Sequence, residues 1–390
     1  MIPYGKHHID EEDIQAVVDV LRSGILTQGP AVEAFENAVA AYVGAKYAVG
    51  VSSGTAALHL AALVAGIGPG TTLITSPITF VASANSGLYA GGQIAFADID
   101  PDTVNMSPVS LKAALAEHPN TKAVIPVHFA GVPCDMKNIK ILADDAGAVV
   151  IEDAAHALGA TYPNGQCVGC CAHSLMTIFS FHPVKAIAAG EGGMITTNDD
   201  GVYHKLLRLR SHGINKLDDP FHLPEQALTN GVTDPWYYEM QELGYHYRMT
   251  DIQCGLGLSQ FKKLDKFIAR RRFLANRYDE AFGEMENCCP AQEADRDTSG
   301  HHLYVIRIDF KKLGIGRGQL MQELRSRQIG SQVHYIPVPA QPYYRNLGFK
   351  PEDYPNAEGY YSAALSIPLF YDLTDEQQEL VISTLNELVG

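Results

Sequence analysis

Three places in this sequence set reactive side chains where an apolar run gives out. At 51–58, Val51-Ser52-Ser53-Gly54-Thr55-Ala56-Ala57-Leu58, a strand-like run passes through small hydroxyl residues into a helix-like one. Backbone N–H groups at a helix start, joined by hydroxyls, form an anion cradle, although a serine there also serves as an ordinary N-cap. At 149–156, Val149-Val150-Ile151-Glu152-Asp153-Ala154-Ala155-His156, an apolar run ends in two carboxylates with a histidine just beyond. One of those acids is accounted for if it caps a helix. At 179–185, Phe179-Ser180-Phe181-His182-Pro183-Val184-Lys185 is followed by Gly190-Glu191-Gly192-Gly193. A single lysine among aromatics, proline and glycine is poorly suited to a solvated face. It is well suited to offering an amine.

The elements that must position these residues follow from period and punctuation. Asp10 can cap a helix with Ile14, Val17, Val18 and Leu21 on its apolar face and Gly24 just past its end. A second helix starts at Pro30, shows Phe35, Ala38, Val39 and Tyr42, and stops at Gly44. Strand-like runs then fall at 46–51, 72–75, 94–97, 122–127 and 148–152, with helix-like segments at 54–66, 79–90, 107–117 and 135–146. Strands separated by helices of this length predict βαβ units and a largely parallel sheet covered on both faces. Runs at 174–180 and 193–197 extend it. Beyond 250 the pattern changes. One long helix is expected over 251–282, with Lys262, Lys263, Lys266, Arg270, Arg271 and Arg272 on its wet side. A strand at 303–308, a helix at 317–328, a strand at 332–334 and a closing helix at 374–389 complete a smaller α+β domain. The stretch 214–243, with Asp218, Asp219, Pro220 and Pro224, has no clear period and reads as a surface excursion.

Composition narrows the classes. The chain has 390 residues, 46% hydrophobic and 19% charged, and its 29 Lys+Arg against 44 Asp+Glu give a net charge of −15. An acidic balance argues against non-specific nucleic-acid binding, and an anionic ligand would need a local positive patch. The stretch Lys205, Arg208, Arg210, His212 and Lys216 is either a solvated helix face or a patch facing a nucleotide diphosphate. The most apolar run, 56–67, is too short for a membrane span and contains His59. Residues Met1 to His8 lack the apolar core of a signal peptide. Seven scattered cysteines do not read as a disulfide framework, and Cys167, Cys170, Cys171 and His173 have no second ligand pair at zinc spacing. A cytoplasmic, reduced protein without a metal is expected.

In open parallel sheets ligands bind outside the carboxyl ends of the strands. An anion cradle, a strand-end aspartate and a Ser-x-x-x-x-Lys, in that order, are what pyridoxal 5′-phosphate needs: hydroxyls for its phosphate, a carboxylate for its pyridine nitrogen, an amine for its aldehyde. There is no Walker loop. The nearest approach to a dinucleotide fingerprint, Gly66-Ile67-Gly68-Pro69-Gly70, has Thr71 where the last glycine belongs. The sequence resembles the fold type I aminotransferases and, within them, the DegT-type sugar aminotransferases, over essentially its whole length. The resemblance rests on Leu21-Arg22-Ser23-Gly24-Ile25-Leu26-Thr27-Gln28-Gly29-Pro30, the runs 152–160, 180–193 and 244–253, and Gln332-Val333-His334-Tyr335-Ile336-Pro337.

That resemblance implies an α/β fold. A large pyridoxal-phosphate-binding domain over 1–250 would hold a mostly parallel, seven-stranded-type sheet between helices, and 251–390 would form the smaller α+β domain. It implies that Lys185 condenses with the cofactor and Asp153 pairs with the ring nitrogen. Ala155 would pack against the ring face opposite Phe80, with His156 near the ring hydroxyl, and Gly54, Thr55 and Ser180 would take the phosphate. In the family an asparagine from a second subunit completes the phosphate site within a Gly-Tyr-Asn-Tyr-Arg run. Here Gly244-Tyr245-His246-Tyr247-Arg248 puts His246 in its place, where a ring N–H can still donate. A homodimer with a shared active site is therefore expected, with Thr27, His182, Arg248 and His334 at the substrate. Residues 180–185 and 332–344 are most similar to family members that aminate C4 of a UDP-linked 2-acetamido-2,6-dideoxy-4-keto hexose on the route to pseudaminic acid, with L-glutamate as donor. The alternatives are another nucleotide-linked 4-keto sugar, of bacillosamine or perosamine type, or a non-catalytic pyridoxal-phosphate-binding regulator. Related sugar dehydratases carry histidine where Lys185 stands.

Overall fold

The computed structural model describes residues 1–216, 219–292 and 296–390. Asp218, assigned above to the surface excursion, lies outside the described residues. The large sheet has seven strands: β1 (Tyr47–Val51), β2 (Thr72–Thr75), β3 (Gln93–Phe96), β4 (Thr121–Ile125), β5 (Val149–Asp153), β6 (Met176–Ser180) and β7 (Gly193–Thr197). Their spatial order is β1-β7-β6-β5-β4-β2-β3. Neighbours are parallel except that β7 runs antiparallel to both β1 and β6. The 193–197 run thus does not lengthen the sheet at an edge. It is inserted between β1 and β6.

The strands read as continuous apolar runs because both sheet faces are covered. The pleat sends Val49, Val51, Leu73, Ile125, Ile151 and Ile178 to one face. There they meet α3 (Gly54–Val64) through Leu60 and α7 (Asp200–Leu209) through Leu206. Ala48, Ile74, Val124, Val150, Phe179 and Met194 point to the other face. That face is covered by α2 (Pro30–Val43) through Phe35 and Val39, α5 (Pro108–Glu117) through Leu111, and α6 (Met136–Asp145) through Ile139. Helix α4 (Ala82–Tyr89) lies against β2 and β3. A second core, with Leu274, Tyr278, Tyr304, Ile306, Leu324, Ile367 and Leu385, backs the three-stranded sheet Cys288–Pro290, Tyr304–Ile308 and Ala364–Ile367.

Four local expectations are corrected. The 251–282 helix is two helices, Asp251–Phe261 and Leu264–Phe282. The first packs on α1 (Glu11–Ser23) and α2, the second runs from the first core at Leu264 and Phe267 into the other core at Leu274 and Tyr278, and Lys263 leaves helical geometry between them with φ −101° and ψ 0°. Nor is its basic side uniformly wet. Arg271 is 3% exposed, and Lys263 pairs with Asp10 and the buried Asp13. Helix α1 has its expected caps, Asp10 in a capping box and Gly24 in the left-handed region. However, its one buried residue is Asp13, which accepts hydrogen bonds from Ser259 and Gln260, whereas Ile14 and Leu21 are exposed. Residues 332–334 form no strand: only Gln332 pairs, with Ser366.

Of the basic stretch after 204, His212 and Lys216 are exposed, whereas the two arginines are used internally. Arg208 pairs with Asp219 and Glu242, and Arg210 with Glu36 and the Gly50 carbonyl. The excursion itself holds short pieces, including the hairpin Leu228–Thr229 and Val232–Thr233. All seven cysteines are free thiols. Among the described residues no group of three or more His, Cys, Asp or Glu is placed to hold a metal ion, and no helix is long and apolar enough to cross a membrane.

Candidate active site

A cleft of about 430 Å³ opens where β5 and β6 end and α3 begins. The large sheet and its helices and loops supply Gly54, Thr55, Phe80, Asp153, Ala155 and His156, then Ser180 at the end of β6 with His182 and Lys185 just after it. The opposite wall is His302, His334 and Tyr335. Ten of the residues expected from the sequence therefore border one space. Thr27, His246 and Arg248 do not: Thr27 pairs with Thr250, and the exposed His246 pairs with Ser211. Asp251 joins these two runs, its carboxylate accepting the amides of Gly29 and Ala31 at 2.8 and 3.0 Å. A larger depression of about 560 Å³, bordered by Met285, Arg307 and Asp309, includes none of the site residues expected from the sequence.

The alternating side chains of β5 separate its two carboxylates. Glu152 turns into a closed polar cluster, where His128, Tyr162, Ser174 and Thr177 all donate to it. Burial raises its pKa, but these donors outweigh burial and hold it below the usual range. His128 Nδ1 accepts the Cys134 amide at 3.0 Å, so its proton sits on Nε2, facing Glu152. Asp153 turns into the cleft. Its Oδ2 accepts Ser83 Oγ at 2.6 Å and its Oδ1 accepts the Ala155 amide at 3.1 Å. Ser83 lies 2.8 Å from Thr79 Oγ1. A carboxylate gripped on both oxygens has one orientation, and it retains lone pairs for a ring N–H.

Lys185 is part-buried at the floor. Desolvation lowers its amine pKa to about 8, partly offset by Asp153. That is a good value for an amine that must be neutral to act as a nucleophile. His156 lies 3.2 Å from Tyr335 OH, and its Nδ1 is buried without a partner among the described residues. Burial, then Lys185, holds its pKa well below the ordinary value. His334 bonds Ser366 Oγ at 2.8 Å, and burial with Lys185 lowers its pKa to about 4. Phe80 is 60% exposed at the mouth.

The anion cradle forms because β1 runs directly into α3. Ser53 caps the helix through the Ala56 amide, leaving Gly54 and Thr55 at its first turn beside Ser180. A Cβ on Gly54 would meet Ser180 Cβ at 3.0 Å, and one on Gly193 would meet the Ser53 carbonyl at 2.5 Å. Glycine is thus required at 193 for β7 to close on the helix start, and at 54 a side chain would crowd Ser180.

The sequence profile of the DegT/DnrJ/EryC1/StrS aminotransferase family matches residues 7–386. The chain belongs to that family. The aminotransferase is 42% identical to the spore coat polysaccharide biosynthesis protein SpsC of Bacillus subtilis, over 100% of this chain and 97% of the relative. Among solved structures it is similar to Helicobacter pylori PseC, an aminotransferase involved in pseudaminic acid biosynthesis (31% identity, TM-score 0.89, covering 100% of this chain and 99% of that one). It is also similar to the putative sugar aminotransferase Spr1654 of Streptococcus pneumoniae (32% identity, TM-score 0.88, covering 100% and 99%).

The protein is therefore a sugar aminotransferase of fold type I, and its cofactor is pyridoxal 5′-phosphate. The cleft fits that group: an anion cradle, a fixed strand-end carboxylate, a partly discharged amine and a mouth-side aromatic. Ser83, Thr79, His302 and Tyr335 also belong to the cleft or its support, and the sequence reading passed over them. Only Tyr335 lay in a run already singled out.

Proposed function

We propose that this aminotransferase transfers the amino group of L-glutamate to C4 of a UDP-linked 2-acetamido-2,6-dideoxy-4-keto hexose of L-arabino configuration, giving UDP-4-amino-4,6-dideoxy-N-acetyl-β-L-altrosamine. The observation that carries the choice of sugar is the cleft wall built by His334 and Tyr335. They belong to the 332–344 segment on which the resemblance to such enzymes rests. The likeness to PseC over the whole chain supports the same reading.

Lys185 would hold the cofactor and Asp153 would keep a proton on its ring nitrogen. Gly54, Thr55 and Ser180 would bind its phosphate, while Ala155 and Phe80 would flank the ring. When bound, the cofactor supplies an electron sink for the carbon that loses a proton. Released by the incoming amine, Lys185 Nζ would take the proton from the α carbon of L-glutamate in one half-reaction and, in the other, deliver to the sugar C4 the proton it takes from the cofactor carbon. An amine with a pKa of about 8 does so near neutral pH without a large driving-force penalty. His182 and His334 border the same space and would face the sugar.

The working unit in this reading is a homodimer. Ile14, Leu21, Ile25 and Leu26 are exposed beside the 27–30 and 244–251 runs, and a second copy would cover them. His246, Arg248 and Thr27, which do not reach the cleft of their own chain, would then serve the neighbouring one.

The deciding experiment compares kcat/KM for the L-arabino keto sugar and its D-xylo epimer, with product identification by NMR. A clear preference for the L-arabino compound is expected, because a wrong epimer leaves buried site groups unpaired. Equal rates, or preference for the D-xylo compound, would replace this substrate by the second reading, another nucleotide-linked 4-keto sugar. That reading draws on the 42% identity to the spore coat protein.

A further inference from the structure

The wall opposite Asp153 brings a second buried histidine against the reactive amine. His302 is 5% exposed, and its Nε2 lies 3.5 Å from Lys185 Nζ. Its ring leans on His156, with centroids 4.4 Å apart, and its Nδ1 is buried without a partner among the described residues. The main chain that presents it is fixed from two sides. The His302 amide donates to the Ala130 carbonyl at 2.9 Å, and the His302 carbonyl accepts Arg271 Nη1 at 3.2 Å. Arg271 also donates to the carbonyls of His301 and Leu369 at 3.2 and 3.1 Å. A guanidinium that is 3% exposed and bonded to main-chain carbonyls is expensive to bury. What its burial secures is the junction between the Leu264–Phe282 helix and the segment holding His302.

We propose that His302 is a positioning residue for Lys185: its neutral ring accepts a hydrogen bond from Nζ at Nε2 and aims the amine, while Arg271 holds the ring in place. The direction follows from the chemistry, since a charged amine has donors only and Nε2 must accept. The ring proton then lies on Nδ1. Burial first, then Lys185, His156 and Arg271, holds His302 well below the ordinary imidazole pKa, so the ring stays an acceptor throughout the working range. The inference rests on the reading that Lys185 carries the cofactor.

The test is a pH titration of the visible band of the cofactor-loaded protein, which follows the proton on the lysine-derived nitrogen. A neutral acceptor stabilises the protonated form, so removing it lowers the midpoint. His302→Phe keeps the ring packing without the acceptor. Its midpoint should fall by about one pH unit, equivalent to a tenfold change in proton affinity. Its kcat should fall about tenfold with little change in KM for the keto sugar. His302→Gln retains an acceptor and should recover most of both. The groups facing Nζ from other elements, Asp153, His156, His334 and Tyr335, together with Arg271 behind the ring, are the same in every variant. If His302→Phe does not load, His302→Leu is read in its place, and a band present in His302→Gln alone also supports the role. A wild-type midpoint in the Phe or Leu variant, or no band in any of the three, overturns the inference. A band that survives Lys185→Ala instead overturns the reading beneath it.

Discussion

Ser83 Oγ donates to Asp153 Oδ2 at 2.6 Å, so a hydroxyl on α4 sets the angle of the carboxylate that ends β5. Removing the carboxylate with Asp153→Ala should cost on the order of 10²-fold or more in turnover, the usual effect of losing a preorganised electrostatic partner. Ser83→Ala leaves the charge but frees its orientation, and a loss of about tenfold is expected. Steady-state rates measured beside cofactor affinity separate the two roles. Weaker cofactor binding with unchanged turnover in Asp153→Ala would show that the residue only places the ring.

Lys185→Ala should abolish transamination and remove the visible band of the lysine-bound cofactor, because among the described residues no other lysine borders the cleft. Absorbance spectra of the purified protein, with and without L-glutamate, check this directly. Turnover at the wild-type rate would remove Lys185 from the centre of the chemistry.

The same lysine makes the cofactor-free protein pH-sensitive. Desolvation lowers its pKa from 10.5 to about 8 in the folded state. The unfolded chain therefore binds more protons between those values, and stability rises with pH across that window. Lys185→Met should be more stable than wild type below about pH 8, by at most on the order of 3 kcal/mol, with the advantage fading towards pH 10.5. Urea titrations of the two cofactor-free proteins at pH 7 and pH 10 would read it. An unchanged difference at both pH values would count against the buried amine.

Active-site sharing predicts complementation between damaged subunits. Lys185→Ala and His246→Ala homodimers should each be impaired. In the mixed dimer one of the two sites regains both intact residues, so activity should return on mixing. Heterodimers confirmed by mass but without recovered activity would assign His246 to its own chain.

Much of this molecule is legible in one dimension. Asp10, Gly24, Pro30 and Gly44 mark their helix ends because caps act within a few residues. The strands of the large sheet stand out as apolar runs because both faces are buried, and β2 and β7 fall where expected. Gly54, Asp153 and Lys185 are visible for the same reason: each interrupts an apolar run where the sheet ends. The break at Lys263 is not visible, because no glycine or proline causes it. The second helix keeps Leu264, Phe267 and Ile268 in the first core and enters the other core only from Leu274 onward. Arg271 reads as one more cation on a wet face until the His302 and Leu369 carbonyls are brought to it. Whether 332–334 becomes a strand depends on Ser366, and whether Ile14 and Leu21 are covered depends on atoms outside α1. His302 and Lys185 are separated by 117 positions, and neither carries a local mark of the other. Element type and strand-end chemistry are set by local period and capping, whereas contact between distant side chains exists only once the second core has docked and excluded water from the space between them.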